Sequence, residues 1–177
     1  ASDRALRAEL LYLLGDIPKA TTEAERLLSD NDLSSDIRSR CLSITAAVYA
    51  DRGCLEAALV AGQQALACAD RSDVQALAAL TAAVLLERSC DRTGFDASLP
   101  MAAQVRRRAV RITDLQVRAS VHLTFGRLEG RAGRLHTALR HFAVGRRLIA
   151  EDANELIASS IDLDESSVLF LLGDVPG

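Results

Sequence analysis

Aromatic residues are scarce in this chain of 177 residues: they make up 3% of it, and tryptophan is absent. Only three prolines and one methionine occur. Strands favour aromatic and β-branched residues, whereas the apolar residues here are mainly Ala and Leu, which favour helices. Apolar residues still make up 49% of the chain, enough for a continuous core. We therefore predict an ordered all-α protein.

Motifs for common activities are also missing. Neither GxxxxGK[ST] nor GxGxxG occurs, which disfavours nucleotide binding by a glycine loop. No signal-peptide pattern is present, and no apolar run approaches the ~18 residues that span a bilayer. We expect a cytoplasmic protein that is not an enzyme and uses no cofactor or metal.

The cysteines lie 13, 14 and 22 residues apart, without a CxxC pair. They are Cys41, Cys54, Cys68 and Cys90. We expect reduced thiols within a helical core. The histidines, His122, His136 and His141, lack the i, i+4 spacing of a metal pair on one helix, so packing or solvated roles are favoured over metal binding or Cys–His catalysis.

Charge is unevenly distributed, although the net charge is only −3. Residues 1–105 carry 15 acids and 10 bases, residues 106–147 carry 2 and 11, and residues 148–177 carry 7 and none. Lys19 is the only lysine, which together with the many alanines suggests a GC-rich bacterial genome. The basic run Arg106, Arg107, Arg108 and Arg111 is interpreted as a solvated outer face, and attachment to an acidic partner or nucleic acid is the alternative.

Glycines recur at separations of 38, 41, 39 and 40 residues, at Gly15, Gly53, Gly94, Gly133 and Gly173. A small residue lies seven positions before four of these five glycines. Glycine permits a tight turn, and small side chains permit close packing of the two helices that the turn joins. The period predicts units at 1–33, 34–71, 72–112, 113–151 and 152–177, the third with about three extra residues near Pro100.

Each complete unit is predicted to hold two helices. The first helices are expected near 3–14, 36–51, 74–91, 114–130 and 153–172. The second helices are expected near 18–30, 55–70, 98–112 and 135–150. The last unit has no second helix, so we expect a fragment of a longer protein or self-association through the truncated unit.

One unit carries a recognisable pattern, Gly-x-x-x-x-Ala-x-x-x-x-x-x-Ala-Leu, at Gly53, Ala58, Ala65 and Leu66. This pattern resembles the second half of a tetratricopeptide repeat (TPR), whose usual period is 34 residues. The resemblance implies a right-handed superhelix, an α-solenoid of about four and a half antiparallel helix pairs. Longer repeats of this kind resemble those of MalT-like, LuxR-type regulators of bacterial transcription.

The resemblance also implies a concave groove lined by the first helices. Its predicted groove residues are Asp51, Arg88, Arg92, Arg127, Arg131 and Phe170. The arginines suit an acidic peptide or a small anionic effector. Alternatively, they pair with Asp91, Glu87 and Glu129 and only solubilise the surface.

These observations predict a non-catalytic scaffold that binds a partner segment in its groove. The alternative is an effector-sensing region of a transcriptional regulator. Direct nucleic-acid contact and membrane binding are not expected.

Overall fold

The computed structural model describes residues 2–93, 95–150 and 154–173, except for the side chains of Ser72 and residues 90–99. In these ranges the chain forms nine helices and no strand, which confirms the all-α prediction. The helices are α1 (Ser2–Leu13), α2 (Ile17–Leu28), α3 (Ser35–Asp51), α4 (Leu55–Cys68), α5 (Ser72–Thr93), α6 (Phe95–Ala109), α7 (Leu115–Arg131), α8 (Leu135–Ile149) and α9 (Glu155–Leu172). Every observed end lies within three residues of its predicted position.

The helices pack largely as antiparallel pairs of sequence neighbours: α1 with α2, α3 with α4, α5 with α6, and α7 with α8. The odd-numbered helices also pack in series, each against the next odd-numbered helix. Helix α9 lies against α7 and α8, and no described helix is paired with it in the way that α8 is paired with α7.

Glycine allows the turn within the first, second and fourth helix pairs. Gly15 and Gly133 have φ values of 82° and 74°, in the left-handed region that side chains with a Cβ disfavour. Gly53 and Gly173 have the same conformation, whereas Gly94 lies outside the described residues. The prediction of glycine turns is therefore confirmed at the four described positions.

Helix starts follow from local hydrogen bonding. The Asp16 carboxylate accepts from the Lys19 amide at 3.4 Å, and Pro18 lies in the first turn of α2, where its missing N–H costs nothing. Asp114 accepts from the Val117 amide at 3.0 Å at the start of α7.

Small residues lie where paired helices meet. Ala8, Ala46 and Gly126, each seven residues before a turn glycine, are buried, as the spacing predicts. The Phe142 ring of α8 occupies the space beside Gly126, and a Cβ added there would lie 2.1 Å from its Cε1 atom. The equivalent residue of α9, Ser166, is exposed.

The third pair contains the predicted irregularity. Pro100 lies inside α6, as it does in the helix predicted near 98–112. Ala102 and Ala109 are buried, as the shift of about three residues predicts. These two alanines of α6, seven residues apart, therefore both belong to the core.

The cysteines differ in exposure. Cys41 is buried, and burial raises the pKa of its thiol to about 11. Cys68 is half-buried, and Cys54 is exposed at the start of α4, so the expectation of a core position is wrong for Cys54. The Cys90 side chain lies outside the described side chains. No helix in the described ranges is long and apolar enough to cross a membrane.

Two glycines of α7 give opposite predictions for stability. We expect Gly126→Ala to destabilise the protein by about 2 kcal/mol because its Cβ collides with Phe142. We expect Gly130→Ala to stabilise it by about 0.5–1 kcal/mol, since a Cβ there meets Val168 and Ala138 at ordinary distances of 3.6 and 3.9 Å. Urea unfolding monitored by circular dichroism measures both, and equal effects would contradict this description of the α7–α8 contact.

Candidate functional site

Ion pairs connect successive odd-numbered helices along one face. The pairs are Arg88 Nη1–Asp51 Oδ1 at 2.9 Å, Arg131 Nη2–Glu87 Oε1 at 3.5 Å and Arg127 Nε–Asp164 Oδ2 at 2.6 Å. They join α3 to α5, α5 to α7 and α7 to α9 in that order. Because all of these arginines are well exposed, each pair contributes only a few tenths of a kcal/mol to about 1 kcal/mol.

Several of the predicted groove residues take part in these ion pairs. Arg88, Arg127 and Arg131 each meet an acid of a neighbouring helix, so the arginine charges at the centre of the face are balanced. Asp51 also accepts from the Tyr12 hydroxyl at 3.1 Å. Of the remaining predicted residues, Phe170 is exposed on α9, and the side chain of Arg92 is outside the described ones.

The predicted alternative, in which acids pair with these arginines, identified one partner correctly. Glu87 pairs with Arg131. Asp51 and Asp164, which were not expected as partners, hold Arg88 and Arg127. The Asp91 side chain lies outside the described side chains.

A cleft of about 440 Å³ opens between α7 and α9 on this face. Its lining combines glycines, charged pairs and apolar side chains: Glu87, Gly126, Arg127, Gly130, Arg131, Phe142, Asp164, Ser167, Val168 and Leu171. Gly126 and Gly130 add no side chain to it, and the buried Phe142 ring, which packs directly against Gly126, forms part of its wall. Burial raises the pKa of Glu87, while the charges of Arg127 and Arg131 oppose that rise.

A smaller pocket of about 160 Å³ lies between α3 and α5 on the same face. It is lined by Tyr12, Ala47, Ala50, Leu80, Thr81, Val84, Leu85 and Arg88. Both cavities therefore have an apolar lining and one arginine that forms an ion pair with an aspartate of a neighbouring helix.

A separate polar cluster connects α6, α7 and α8. Glu129 of α7 is 1% exposed, and its carboxylate accepts from Arg106 at 2.6 Å and from Arg134 at 2.5 Å. The Arg106 guanidinium also lies 5.0 Å from the centre of the Phe125 ring. Arg106 is exposed, as predicted, and its side chain also connects α6 to α7.

The expectation of a solvated position is wrong for Arg108, which is half-buried and whose guanidinium donates to the Ala69 carbonyl at 2.9 Å. Arg107 and Arg111 are exposed, as predicted.

Two histidines meet beside this cluster. The Nδ1 atoms of His122 and His141 lie 3.1 Å apart, so one ring must donate its proton to the other. The Phe125 ring stacks on His141 at 5.5 Å. Burial lowers the pKa of His141 to about 4, with help from the charges of His122 and Arg106, and burial also lowers the pKa of His122.

The histidine pair was missed because only spacing within one helix was considered. His122 precedes Gly133 by eleven residues and His141 follows it by eight, and a helical hairpin brings residues at similar distances from its turn together. In the described ranges, no group of three or more His, Cys, Asp or Glu side chains is arranged to hold a metal ion.

Comparison of the chain with protein-family models, with curated proteins and with solved structures finds no match.

The histidine pair predicts a loss of stability in mild acid. The folded pKa values are depressed, so below the unfolded value of 6.5 the unfolded chain binds more protons than the folded chain. The contribution of the two neutral histidines to the free energy of unfolding is fully present above that pH. It is lost as the pH decreases towards 4. We expect a loss of about 1.5 kcal/mol between pH 7 and pH 5, measured by urea unfolding.

Variants isolate this effect from that of other groups. His141→Gln removes one of the titrating rings and should flatten the pH dependence, whereas His136→Gln, on an exposed site of the same helix, should leave it unchanged. Charged groups that affect the pair are Arg106, Arg118, Glu129 and Arg140. An unchanged slope in His141→Gln would contradict the assignment.

The buried carboxylate gives a second prediction. Glu129→Gln should destabilise the protein by about 2 kcal/mol because two charged hydrogen bonds are weakened in a buried position. Glu165→Gln, which removes a more exposed partner of Arg146, should change stability by less than about 0.5 kcal/mol. Chemical denaturation compares the two, and equal losses would show that burial of Glu129 is unimportant.

Proposed function

We propose that this chain is a non-catalytic scaffold whose odd-numbered helices form a face that binds a segment of a partner protein. The observation that carries the proposal is the cleft between α7 and α9, with its combination of apolar lining and arginine–carboxylate pairs. The pocket between α3 and α5 repeats this combination on the same face.

The proposal includes the architecture. We infer that the helix pairs continue as a TPR-like, right-handed α-solenoid of about four and a half units. The glycine turns, the small residues at helix crossings and the series of odd-numbered helices support this inference. In such an array, adjacent first helices form an extended binding surface.

The charge balance indicates how a ligand acid would bind. The arginines are already paired, so a carboxylate of the partner would share or replace Asp51, Asp164 or Glu87 as acceptor. Such an exchange adds little net charge attraction, while burial of apolar side chains in the two cavities supplies most of the free energy. The segment we propose therefore has apolar anchors with acidic residues between them.

A peptide library tests the proposal. We expect phage-displayed random peptides selected on the purified chain to be enriched in apolar and acidic residues. Thr81→Trp, which fills the α3–α5 pocket, should weaken binding of a selected peptide at least about tenfold, a loss of about 1.4 kcal/mol. Arg131→Gln, in the α7–α9 cleft, should weaken it measurably but by a smaller factor, because the exchange of acceptors adds little net attraction.

Matched controls lie away from both cavities. Gln64→Trp on α4 and Arg147→Gln on α8 change exposed residues in the same chemical way and should leave the affinity unchanged. Failure to enrich peptides, or equal effects of the control and cavity variants, would overturn the proposal.

The volume of the α7–α9 cleft favours a second candidate, an effector-sensing region of a bacterial transcriptional regulator. About 440 Å³ lies within the range of about 300–1,000 Å³ typical of small-molecule sites. Thermal denaturation with di- and tricarboxylates and sugar phosphates tests it. Stabilisation by one of them that Arg131→Gln abolishes and Arg147→Gln preserves would favour this candidate over peptide binding.

A further inference from the structure

Helices α6 and α8 and the turn after α6 carry arginines that no acidic side chain neutralises. Residues 100–150 contain eleven arginines but only two acids, Asp114 and Glu129. Glu129 is buried and bound by two arginines, while Asp114 caps the start of α7. Four exposed arginines form no ion pair and no side-chain hydrogen bond with another described residue: Arg107, Arg111, Arg140 and Arg147. We call these four residues the basic surface.

The basic surface lies on the solvent-exposed sides of these helices. Arg140 and Arg147 are seven residues apart, so they lie about 10 Å apart along α8 and on the same side of it. Arg107 is exposed in the last turn of α6, and Arg111 follows in the turn after that helix. None of the four lines the α7–α9 cleft or the α3–α5 pocket. The basic surface is therefore separate from the proposed peptide-binding face.

Contacts through α7 hold α6 and α8 beside each other. The Arg106 guanidinium of α6 lies 5.0 Å from the centre of the Phe125 ring, and that ring stacks on His141 of α8 at 5.5 Å. Arg107 and Arg140 directly adjoin the two ends of this contact in the sequence. Burial lowers the pKa of His141, and the charges of Arg106 and Arg140 lower it further, so arginines of both helices act electrostatically on one point. The two helices therefore present one continuous positive region.

From this unneutralised charge we propose that the basic surface binds a short acidic segment of a partner protein. Guanidinium groups form paired hydrogen bonds with carboxylates, which makes arginine well suited to such a segment. Carboxylates bound here would also relieve the mutual repulsion of the arginines, which only solvent and salt screen in the free chain.

The charge around the basic surface favours a short protein segment over a nucleic acid. Residues 1–105 carry 15 acids against 10 bases, and residues 148–177 carry 7 acids and no base. A nucleic acid long enough to continue beyond the four arginines would bring its phosphates against these acidic regions. In addition, no described Phe or Tyr side chain of α6 or α8 is exposed for stacking on bases.

Apolar residues give no support for an anionic membrane as the partner. Among the described side chains of residues 100–150, Val110 is the only large apolar one that is well exposed. Helices that bind at a membrane surface normally insert several Trp, Phe or Leu side chains beside their basic residues. Charge complementarity is thus the main attraction that this surface offers.

The expected binding is weak and depends on salt, because exposed ion pairs are individually weak and screened by ions. We expect a dissociation constant of about 100 µM in low salt, rising at least about threefold at physiological ionic strength. Affinity in this range suits a contact that supplements another interface of the same partner.

Titration of the ¹⁵N-labelled chain with a short oligoglutamate peptide, followed by NMR, tests the proposal. The largest changes in amide chemical shift should lie in the second half of α6 and in α8. Arg107→Gln, Arg140→Gln and Arg147→Gln combined should raise the dissociation constant at least about fivefold. Because these residues are exposed and unpaired, the combined variant should keep the circular dichroism and urea unfolding transition of the wild type.

A matched control separates the basic surface from net charge. Arg7→Gln, Arg26→Gln and Arg52→Gln combined remove the same charge from exposed positions on α1, on α2 and after α3. This control should bind the peptide like the wild type. Equal weakening in both combined variants would overturn the proposal, as would chemical-shift changes centred on the odd-numbered helices or a lack of peptide binding in low salt.

Parallel titrations examine the other anionic partners. An oligothymidylate with as many charges as the peptide, and vesicles that contain phosphatidylserine, should both bind more weakly than the peptide. Tighter binding of either one that the combined Arg107, Arg140 and Arg147 variant abolishes would overturn the choice of a protein segment. Arg131→Gln, in the α7–α9 cleft, should leave oligoglutamate binding unchanged, so failure of this proposal is distinguishable from failure of the proposed function.

Discussion

Close approach of paired helices is the constraint on which the rest of this structure depends. Ala8 and Ala46 leave room for a neighbouring helix, and Gly126 leaves room for a whole aromatic ring. A left-handed glycine then reverses the chain within a few residues. Together these features keep the helices of a pair in contact and place the odd-numbered helices side by side, which creates the cavities on their common face.

Ion pairs then connect each helix pair to the next part of the chain. The strongly basic residues 106–147 and the acidic residues 148–177 are balanced across helix contacts, since Arg127 meets Asp164 and Arg146 meets both Asp162 and Glu165. The uneven charge of the sequence is thus partly neutralised in the fold. A partner segment of the kind proposed would therefore meet polar groups that are already satisfied, and shape and apolar contact would be the main source of its affinity.

Features that depend on one segment of chain could be predicted from the sequence. The recurring glycines located the turns, and the small residues seven positions earlier located the crossings. Contacts between segments were harder to predict. The partner of Arg106 and the pairing of His122 with His141 depend on the offset of one helix against another, which side-chain packing determines and the period does not. Asp51 and Asp164, the partners of Arg88 and Arg127, likewise followed only from the geometry between helices.

The fit of Phe142 against Gly126 also has a consequence for sequence divergence. Any side chain larger than hydrogen at position 126 requires a smaller one at position 142, and the reverse change alone would leave a cavity. The first pair, with alanines in its buried cluster, shows how such a crossing is filled when both helices contribute small residues. Descendants of this chain should therefore vary these two positions together, either as glycine with an aromatic residue or as two small residues, and intermediates with one change should be rare.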